Sequence, residues 1–234
     1  MSHVKQVRRG YRSALRDQQA AATRQVVLDA ARELFPARGY GATTVDQIAE
    51  RAGVSKPTVF TAVGNKQAVL AAVRDVALAG DDLPVTIAER EPFQAVAAEP
   101  DPRRAVVLMA GHLADLWGRY AQIREVLRGA ASSGEPALRE LWDLSEQQRL
   151  TAARRFVATL AGKGPLRGEL DHDTAAEITW VHISPGNYLD LVIQRGWTQG
   201  AYQRWLARTL TAALLPPATC PGQCPPRAGP QHRA

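Results

Sequence analysis

Hydrogen-bonding side chains are concentrated in one short segment, residues 55–61, whose sequence is SKPTVFT. Ser55, Thr58 and Thr61 carry short hydroxyl groups, and Lys56 is the one long cation of the segment. Hydroxyl and ammonium groups at this spacing can contact phosphate oxygens and the acceptor edges of bases in a DNA major groove. The segment therefore favours nucleic-acid recognition over catalysis.

Residues 43–52 predict the first of the helices that would hold this segment in place. Apolar residues recur there with the spacing of a short helix, at Val45, Ile48, Ala49 and Ala52. Thr44 and Gln47 have the spacing of a capping box, in which each side chain satisfies a backbone donor of the other residue. Gly53 tolerates the left-handed conformation that often ends a helix. We therefore expect a short helix and a tight turn directly before the polar segment.

Two further helices are predicted after the turn. Ser55 can cap the second helix, and Pro57 is tolerated in its first turn because N–H groups there lack intrahelical partners. Asn65 can cap the third helix in the same way. This layout is typical of a helix-turn-helix, whose second helix enters the major groove.

The excess basic charge of the chain is confined to its first third. Residues 1–75 hold twelve Lys and Arg against six Asp and Glu, a net charge of +6, whereas residues 76–234 hold seventeen of each. Because this excess coincides with the predicted helix-turn-helix, we expect a polyanionic partner there. Residues 1–19 are predicted to form a flexible basic arm that either contacts DNA or only aids solubility.

The whole chain predicts an all-α fold in two domains. We expect an N-terminal three-helix helix-turn-helix domain over residues 20–75 and a helical ligand-binding and dimerisation domain over residues 76–215. Helices are predicted at residues 24–37, 103–131, 137–161, 174–183, 188–194 and 198–215. Residues 81–102 contain several prolines and predict an irregular connection or a broken helix. Residues 216–234 are rich in Pro and Gly and should be disordered.

The sequence TRQVVLDAARELFPARGYGATTVDQIAERAGVSKPTVFTAVGNKQAVL resembles the DNA-binding domain of TetR-family transcriptional regulators. The similarity covers about residues 24–75 and rests on the motifs AA..LF..GY and TTV..IA..AGVS. The later stretch SPGNYLDLVIQRGWTQGAYQRWLARTL is similar to the last two helices of many members. The resemblance implies a homodimeric repressor that binds a palindromic double-stranded DNA operator and is released by a small-molecule effector. A TetR-like activator is the alternative within the family.

The resemblance also implies which side chains would contact DNA. Thr44 would touch a phosphate at the start of its helix, and Lys66 would contact the DNA backbone. The residues expected to face the groove are Ser55, Lys56, Pro57, Thr58 and Thr61. Phe60 stands where members of the family usually have tyrosine, so one hydroxyl-to-phosphate hydrogen bond would be lost. Because Lys56 is the long cation of this helix, guanine is its expected target.

An apolar surface for dimerisation is expected near the end of the chain. Leu206, Leu210 and Leu214 recur every four residues on the last predicted helix, and Trp180 and Leu189 lie on the preceding segments. The resemblance implies that two helices per subunit form a four-helix bundle in the dimer. The alternative is that these side chains pack within one subunit.

A small-molecule cavity is expected among the long helices of the second domain. Its candidate lining residues are Met109, His112, Trp117, Tyr120, Trp142 and Phe156. Ligand pockets are mostly apolar with a few polar groups, and aromatic side chains beside one histidine would suit such a pocket. The alternative is that these residues form an ordinary core, and the sequence leaves the chemical class of the effector open.

Other groups of reactive side chains favour no catalytic or metal site. Cys220, Cys224 and His232 offer three ligands on a tail predicted to be disordered, whereas structural zinc usually takes four on an ordered frame. The acidic cluster at residues 171–173 fits the start of a helix, where negative charge is favourable. No phosphate-binding loop or nucleophile elbow is present, so we expect no enzyme, cofactor or metal. The competing interpretation is an all-α small-molecule-binding protein or enzyme whose basic N-terminus is incidental.

Hydropathy bears on where the protein resides. No apolar run approaches the roughly 18 residues that a membrane-spanning helix requires. No hydrophobic signal region follows the basic N-terminus. We therefore expect a cytoplasmic protein without a membrane partner.

Overall fold

The computed structural model describes residues 3–81, 90–168 and 170–217. Over these residues the chain is built of helices without any β-strand, which confirms the predicted all-α class. The α-helices are α1 (His3–Ala42), α2 (Val45–Ala52), α3 (Lys56–Ala62), α4 (Lys66–Ala79), α5 (Glu91–Ala98), α6 (Pro102–Ala131), α7 (Pro136–Ala161), α8 (His172–His182), α9 (Pro185–Tyr188) and α10 (Gln199–Leu214). α9 continues directly as a π-helical segment, Leu189–Gln194.

The first helix is longer than the sequence predicts. α1 begins at His3, so the part of the expected flexible arm that the structure describes, residues 3–19, is helical. The prediction of a flexible arm is corrected to that extent, because the helix of residues 24–37 continues towards the N-terminus without a break. Gly39, with φ 78° and ψ 164°, interrupts the other end of α1. Phe35 is fully buried and fixes this end to the helix-turn-helix core.

α6 lies at the centre of the second domain and packs against α1, α4, α5, α7, α9 and α10. A helix surrounded in this way is apolar on most of its circumference. Its glycines allow two neighbours to approach closely. A Cβ at Gly111 would lie 2.9 Å from Nε2 of Gln203 on α10, and a Cβ at Gly118 would lie 3.3 Å from the hydroxyl of Tyr188. The two glycines therefore make room for packing and leave α6 unbroken.

α4 joins the two domains. It runs across the predicted boundary at residue 75, and it contacts α1 in the first domain and α6 and α7 in the second. Oδ1 of Asn65 accepts a hydrogen bond from the backbone N–H of Ala68 at 2.9 Å, which confirms the predicted cap. Because a helix of fourteen residues moves as a rigid rod, a displacement at one end of α4 reaches the other.

The last helix belongs to the core of the single chain. Leu206, Leu210 and Leu214 are each 0% exposed and lie on the helix that packs against α6. A partner subunit cannot reach side chains that are already buried, so their assignment to the dimer interface is corrected to a role inside the subunit. Trp180 and Leu189 are only partly buried and stay candidates for that interface.

The acidic cluster at residues 171–173 caps a helix. The carboxylate of Asp171 accepts hydrogen bonds from the N–H of Thr174 at 2.8 Å and from its hydroxyl at 2.7 Å. The backbone hydrogen bond, followed by the hydroxyl hydrogen bond, lowers the pKa of Asp171. α8 consequently begins at His172, two residues earlier than predicted.

Acidic and histidine side chains are scattered over the described ranges. No three His, Cys, Asp or Glu side chains there are grouped so that they could hold a metal ion. The tail residues Cys220, Cys224 and His232 lie outside the described residues. Within the part of the chain that the structure describes, each helix is too short or too polar to cross a membrane.

Candidate nucleic-acid interface and effector cavity

The turn between α2 and α3 is built as predicted. Oγ1 of Thr44 accepts from the N–H of Gln47 at 3.2 Å, and Oε1 of Gln47 accepts from the N–H of Thr44 at 3.0 Å. This reciprocal pair confirms the capping box. Gly53 adopts φ 67° and ψ 29° and ends α2 in the left-handed region. The turn therefore depends on local hydrogen bonds and one glycine.

α3 presents a polar face to solvent and anchors itself through one apolar residue. Val59 is fully buried against the domain core. The neighbouring side chains Ser55, Lys56, Pro57, Phe60 and Thr61 are exposed, and Thr58 is half-buried. Oγ of Ser55 accepts from the N–H of Thr58 at 3.3 Å, which confirms the predicted cap of α3. A helix held this way offers its outward face to a groove of DNA.

Lys56 lies at the start of α3 and is paired with an acid on α2. Its Nζ donates to Oδ2 of Asp46 at 2.9 Å, and the two side chains are 50% and 66% exposed. An exposed ion pair of this kind contributes little stability, about 0–1 kcal/mol. The ammonium group of Lys56 can therefore exchange Asp46 for a phosphate or a base at small cost.

Lys66 lies at the junction of the two domains. Its Nζ donates to the carbonyl of Tyr40 at 3.0 Å and lies 4.2 Å from the centroid of the Tyr40 ring. Burial, followed by the negative charge of Glu135, raises the pKa of Tyr40 to about 12. Nε2 of Gln67 donates to the same Glu135 carboxylate at 2.6 Å. The start of α4 is thereby tied both to the end of α1 and to the residue that precedes α7.

The second domain encloses a cavity of about 110 Å³ between α4, α5, α6, α7 and α8. Its apolar wall consists of Leu78, Phe93, Met109, Leu113, Leu116, Trp117, Ala152, Phe156 and Ile183. Its polar wall consists of Arg74, Tyr120, Arg124, Ser145, Glu146, Gln148, Arg149 and Thr179. The cavity wall therefore combines apolar side chains with a group of charged and polar ones.

Four of the six predicted lining residues reach this cavity, namely Met109, Trp117, Tyr120 and Phe156. His112 instead lies edge-on to the ring of Phe93, with 4.4 Å between ring centroids. Burial, followed by the charge of Arg119, lowers the pKa of His112. Trp142 lies beneath the guanidinium group of Arg124 at 4.5 Å. His112 and Trp142 thus support neighbouring side chains and are not part of the described cavity wall.

The charged wall of the cavity was not predicted from the sequence. Arg124 follows Tyr120 by four residues and Trp117 by seven, so its position on the buried face of α6 was readable from helical spacing. Glu146 bridges two arginines, accepting from Arg124 at 3.0 Å and from Arg149 at 2.5 Å. Burial lowers the pKa of the Arg149 guanidinium, and the hydrogen bond to Glu146 opposes that shift. These contacts join α6 to α7, and sequence spacing on one helix does not reveal them.

The helix-turn-helix region matches a known sequence family. The family described as "Bacterial regulatory proteins, tetR family" matches residues 27–73. The similarity extends further in YdeS, an uncharacterized HTH-type transcriptional regulator of Bacillus subtilis (strain 168). YdeS is 31% identical over 163 residues, which are 68% of this chain and 74% of the relative. The sequence likeness therefore reaches well beyond the DNA-binding domain.

Solved structures share the fold over most of this chain. The transcriptional regulator FadR from Bacillus subtilis, in complex with stearoyl-CoA, has a TM-score of 0.61 at 18% identity and covers 80% of this chain and 96% of its own. SmeT, the repressor of the Stenotrophomonas maltophilia multidrug efflux pump SmeDEF, has a TM-score of 0.60 at 20% identity and covers 90% and 99%. Both comparisons place a helix-turn-helix domain and a larger helical domain in the same chain order.

Proposed function

Because this chain belongs to the TetR family of bacterial transcriptional regulators, a family of DNA-binding proteins and not of enzymes, we propose that it is a homodimeric repressor released from DNA by a small molecule. In this proposal α3 contacts the bases of a palindromic operator. The effector binds in the cavity of the second domain and acts on α3 through α4.

The observation that carries the DNA-binding part is the outward face of α3. Its hydroxyl groups and the Lys56 ammonium group are exposed, whereas Val59 of the same helix is buried. This face belongs to the part of the chain that holds the whole net charge of +6. Phosphate contacts through that charge would position the protein, and base contacts from α3 would give sequence specificity.

A second copy of the chain is the proposed partner for dimerisation. α8 and the segment after it leave apolar side chains accessible: Val181 is 56% exposed, and Trp180 and Leu189 are partly buried. Two-fold symmetry would then present two copies of α3 to half-sites about 34–36 Å apart, one turn of DNA. The palindrome follows from this symmetry.

The release mechanism is supported by the position of the cavity and by the fold relatives. Arg74 and Leu78 of α4 line the cavity, and the same helix begins beside α3. FadR was solved with stearoyl-CoA, and SmeT is a repressor of an efflux pump. An occupant of the cavity would shift α4 and with it the angle at which α3 meets DNA.

Selection from a randomised duplex library tests the proposal, followed by a salt titration on the enriched site. We expect a palindrome, a complex of two chains per duplex by sedimentation, and affinity that falls steeply as salt concentration rises. An enriched site without two-fold symmetry would overturn the dimeric operator. No enrichment at low salt would overturn the repressor assignment for the effector-free protein.

Lys56→Ala should weaken operator binding by about 1–3 kcal/mol and relax discrimination at one base pair. The reason is that Lys56 is the long cation on the outward face of α3 and is bound only by an exposed ion pair to Asp46. The measurement is the affinity for a series of operators substituted one base pair at a time. Unchanged selectivity across that series would contradict the prediction.

Lys66→Ala is the matched comparison, since the same residue type is removed at the start of the next helix. Lys66 would meet only DNA phosphates, so operator and random duplex should lose affinity by about the same factor. The slope of log affinity against log salt concentration should decrease in magnitude by about one, because one phosphate contact is lost. A loss confined to the operator would show instead that the Lys66–Tyr40 contact orients α3.

Phe60→Tyr should tighten DNA binding by about 0.5–1.5 kcal/mol. The ring of Phe60 is 47% exposed on α3, so an added hydroxyl can donate to a phosphate without a desolvation penalty. Operator and random duplex should gain equally, because phosphate contacts carry no sequence information. Phe60→Leu is the control without a hydroxyl and should not tighten binding. Equal affinity of the tyrosine variant and the wild type would show that no phosphate lies within hydrogen-bond reach of a hydroxyl at position 60.

A further inference from the structure

The polar wall of the cavity contains three deeply buried cations from three helices. The side chains of Arg74 on α4, Arg124 on α6 and Arg149 on α7 are 6%, 10% and 9% exposed. Removing a guanidinium group from water is costly unless opposite charges and hydrogen bonds replace the lost hydration. Burying these three guanidinium groups therefore costs free energy. The hydrogen-bond and ion-pair partners of each arginine show whether that cost is offset.

Acidic partners are fewer in the wall than the cations. Glu146 is the carboxylate of the cavity wall, and it serves both Arg124 and Arg149. Arg74 instead donates to Asp75, whose side chain is 65% exposed, and to the neutral amide of Gln148. Glu125 lies 3.3 Å from Arg124 but does not line the cavity.

Some hydrogen-bond donors of the same arginines also lack an acceptor in the described part of the chain. The Nε atoms of Arg74, Arg124 and Arg149 are buried, and none has a hydrogen-bond partner among the described residues. Burial raises the pKa of Tyr120, although Arg74 and Arg124 oppose the shift, so its phenol is a neutral donor beside them. The described cavity wall thus carries three arginines and one carboxylate beside a neutral hydroxyl, and a bound anion would balance the excess positive charge.

The apolar groups are separated from the charged ones along each helix. On α6 the lining residues run from Met109 through Leu113 and Trp117 to Arg124, a distance of about 22 Å at 1.5 Å per residue. α7 is antiparallel to α6, and its lining residues run from Ser145 and Glu146 to Phe156. Both helices are therefore charged towards the turn that joins them and apolar towards their far ends.

From this polarity we propose that the cavity binds an organic carboxylate with a compact apolar body. Its carboxylate would be held by Arg74, Arg124 and Arg149, and its body would lie against the apolar wall that includes Trp117 and Phe156. This inference rests on the proposed function, because it assigns a chemical class to the effector of the same cavity.

The size of the cavity limits the apolar body. Its volume is about 110 Å³, and an engineered apolar cavity of about 150 Å³ in another protein accepts benzene. Because this cavity is smaller, a single ring or a short branched chain is the upper limit for the body, and the walls must move outward on binding. Planar, bidentate recognition of carboxylates is also what guanidinium groups do best.

Arg74 connects this anion site to the DNA-binding domain. It lies eight residues after Lys66 on α4, about 12 Å along one rigid helix. A carboxylate that replaces Gln148 as the partner of Arg74 draws α4 towards α6 and α7. Because α4 begins at Lys66, only four residues after the end of α3 at Ala62, the movement changes the position of α3 relative to its partner copy.

Isothermal titration of the full-length protein with benzoate and cyclohexanecarboxylate tests the proposal, with benzamide and benzylamine as neutral and cationic counterparts. We expect the two acids to bind at least about tenfold more tightly than the amide, and the amine not to bind. Arg74→Gln and Arg124→Gln should each weaken benzoate binding by about tenfold or more. Arg128→Gln is the matched control, since Arg128 is 58% exposed one turn after Arg124 and does not line the cavity.

Each outcome decides a separate claim. Equal binding of benzoate and benzamide, or no binding of either acid at millimolar concentration, overturns the anion site. Equal losses in Arg128→Gln and Arg124→Gln overturn the assignment of residues. If the Arg124 variant fails to fold, the comparison of acid with amide on the wild type still decides.

Operator affinity, measured separately with and without benzoate, distinguishes the site from the function. Benzoate binding that leaves operator affinity unchanged would overturn the relay through Arg74, whereas the anion site would stand. Failure to bind any operator would overturn the proposed repressor without affecting the titration result.

Discussion

Val59→Asp should lower the free energy of unfolding of the DNA-binding domain by about 3–5 kcal/mol and reduce operator affinity by more than about 100-fold. Val59 is 0% exposed on α3, so the aspartate would bury a carboxylate in the apolar core of the domain. The loss follows because α3 is only seven residues long and is held mainly by this anchor. Urea unfolding followed by circular dichroism, together with operator titration, measures both quantities.

Val26→Asp is the matched control for this prediction. The chemical change is the same, but Val26 is 43% exposed on α1 of the same domain, so stability should change by no more than about 0.5 kcal/mol. Operator binding should stay close to that of the wild type. Similar losses in the two variants would mean that added negative charge, and not the buried anchor, weakens the complex.

The helix-turn-helix was predictable because its determinants are local. The caps at Thr44, Ser55 and Asn65 each involve a side chain and an N–H three residues later, and such pairs are visible in the sequence. Gly53 likewise predicts the turn after α2, because glycine adopts the left-handed conformation that the turn requires. The outward face of α3 follows once Val59 is recognised as its apolar residue.

The second domain was predictable only in part, because its features depend on contacts between distant residues. Met109, Trp117 and Tyr120 were predicted as cavity residues on one long helical segment, and the structure places them along the cavity wall on α6. Helical spacing placed Leu206 on a dimer surface, since periodicity shows that a face is apolar and not which neighbour covers it. The buried arginines were not predicted because a charged side chain usually marks a solvated face. Glu146, which pairs with Arg124 inside the domain, lies 22 residues further along the chain.

Glu146→Ala should lower the free energy of unfolding of the whole chain by about 3–5 kcal/mol. Glu146 accepts from Arg124 and Arg149 at once, and its removal leaves two buried guanidinium groups without their shared counterion. The glutamate side chain is only 21% exposed, so water cannot replace it readily. Chemical denaturation at neutral pH measures the change.

Glu140→Ala, at an exposed position on the same helix, is the control and should change stability by no more than about 0.5 kcal/mol.

The Glu146→Ala variant also tests the anion site, because a bound carboxylate would restore the negative charge that the substitution removes. Benzoate should therefore stabilise Glu146→Ala more than it stabilises the wild type, by linkage between binding and folding. Equal stabilisation of the two proteins would mean that the carboxylate does not bind at the arginines. Glu146 in that case would serve the fold alone, and the three buried cations would be explained by their contacts to α7 and α8 without reference to an effector.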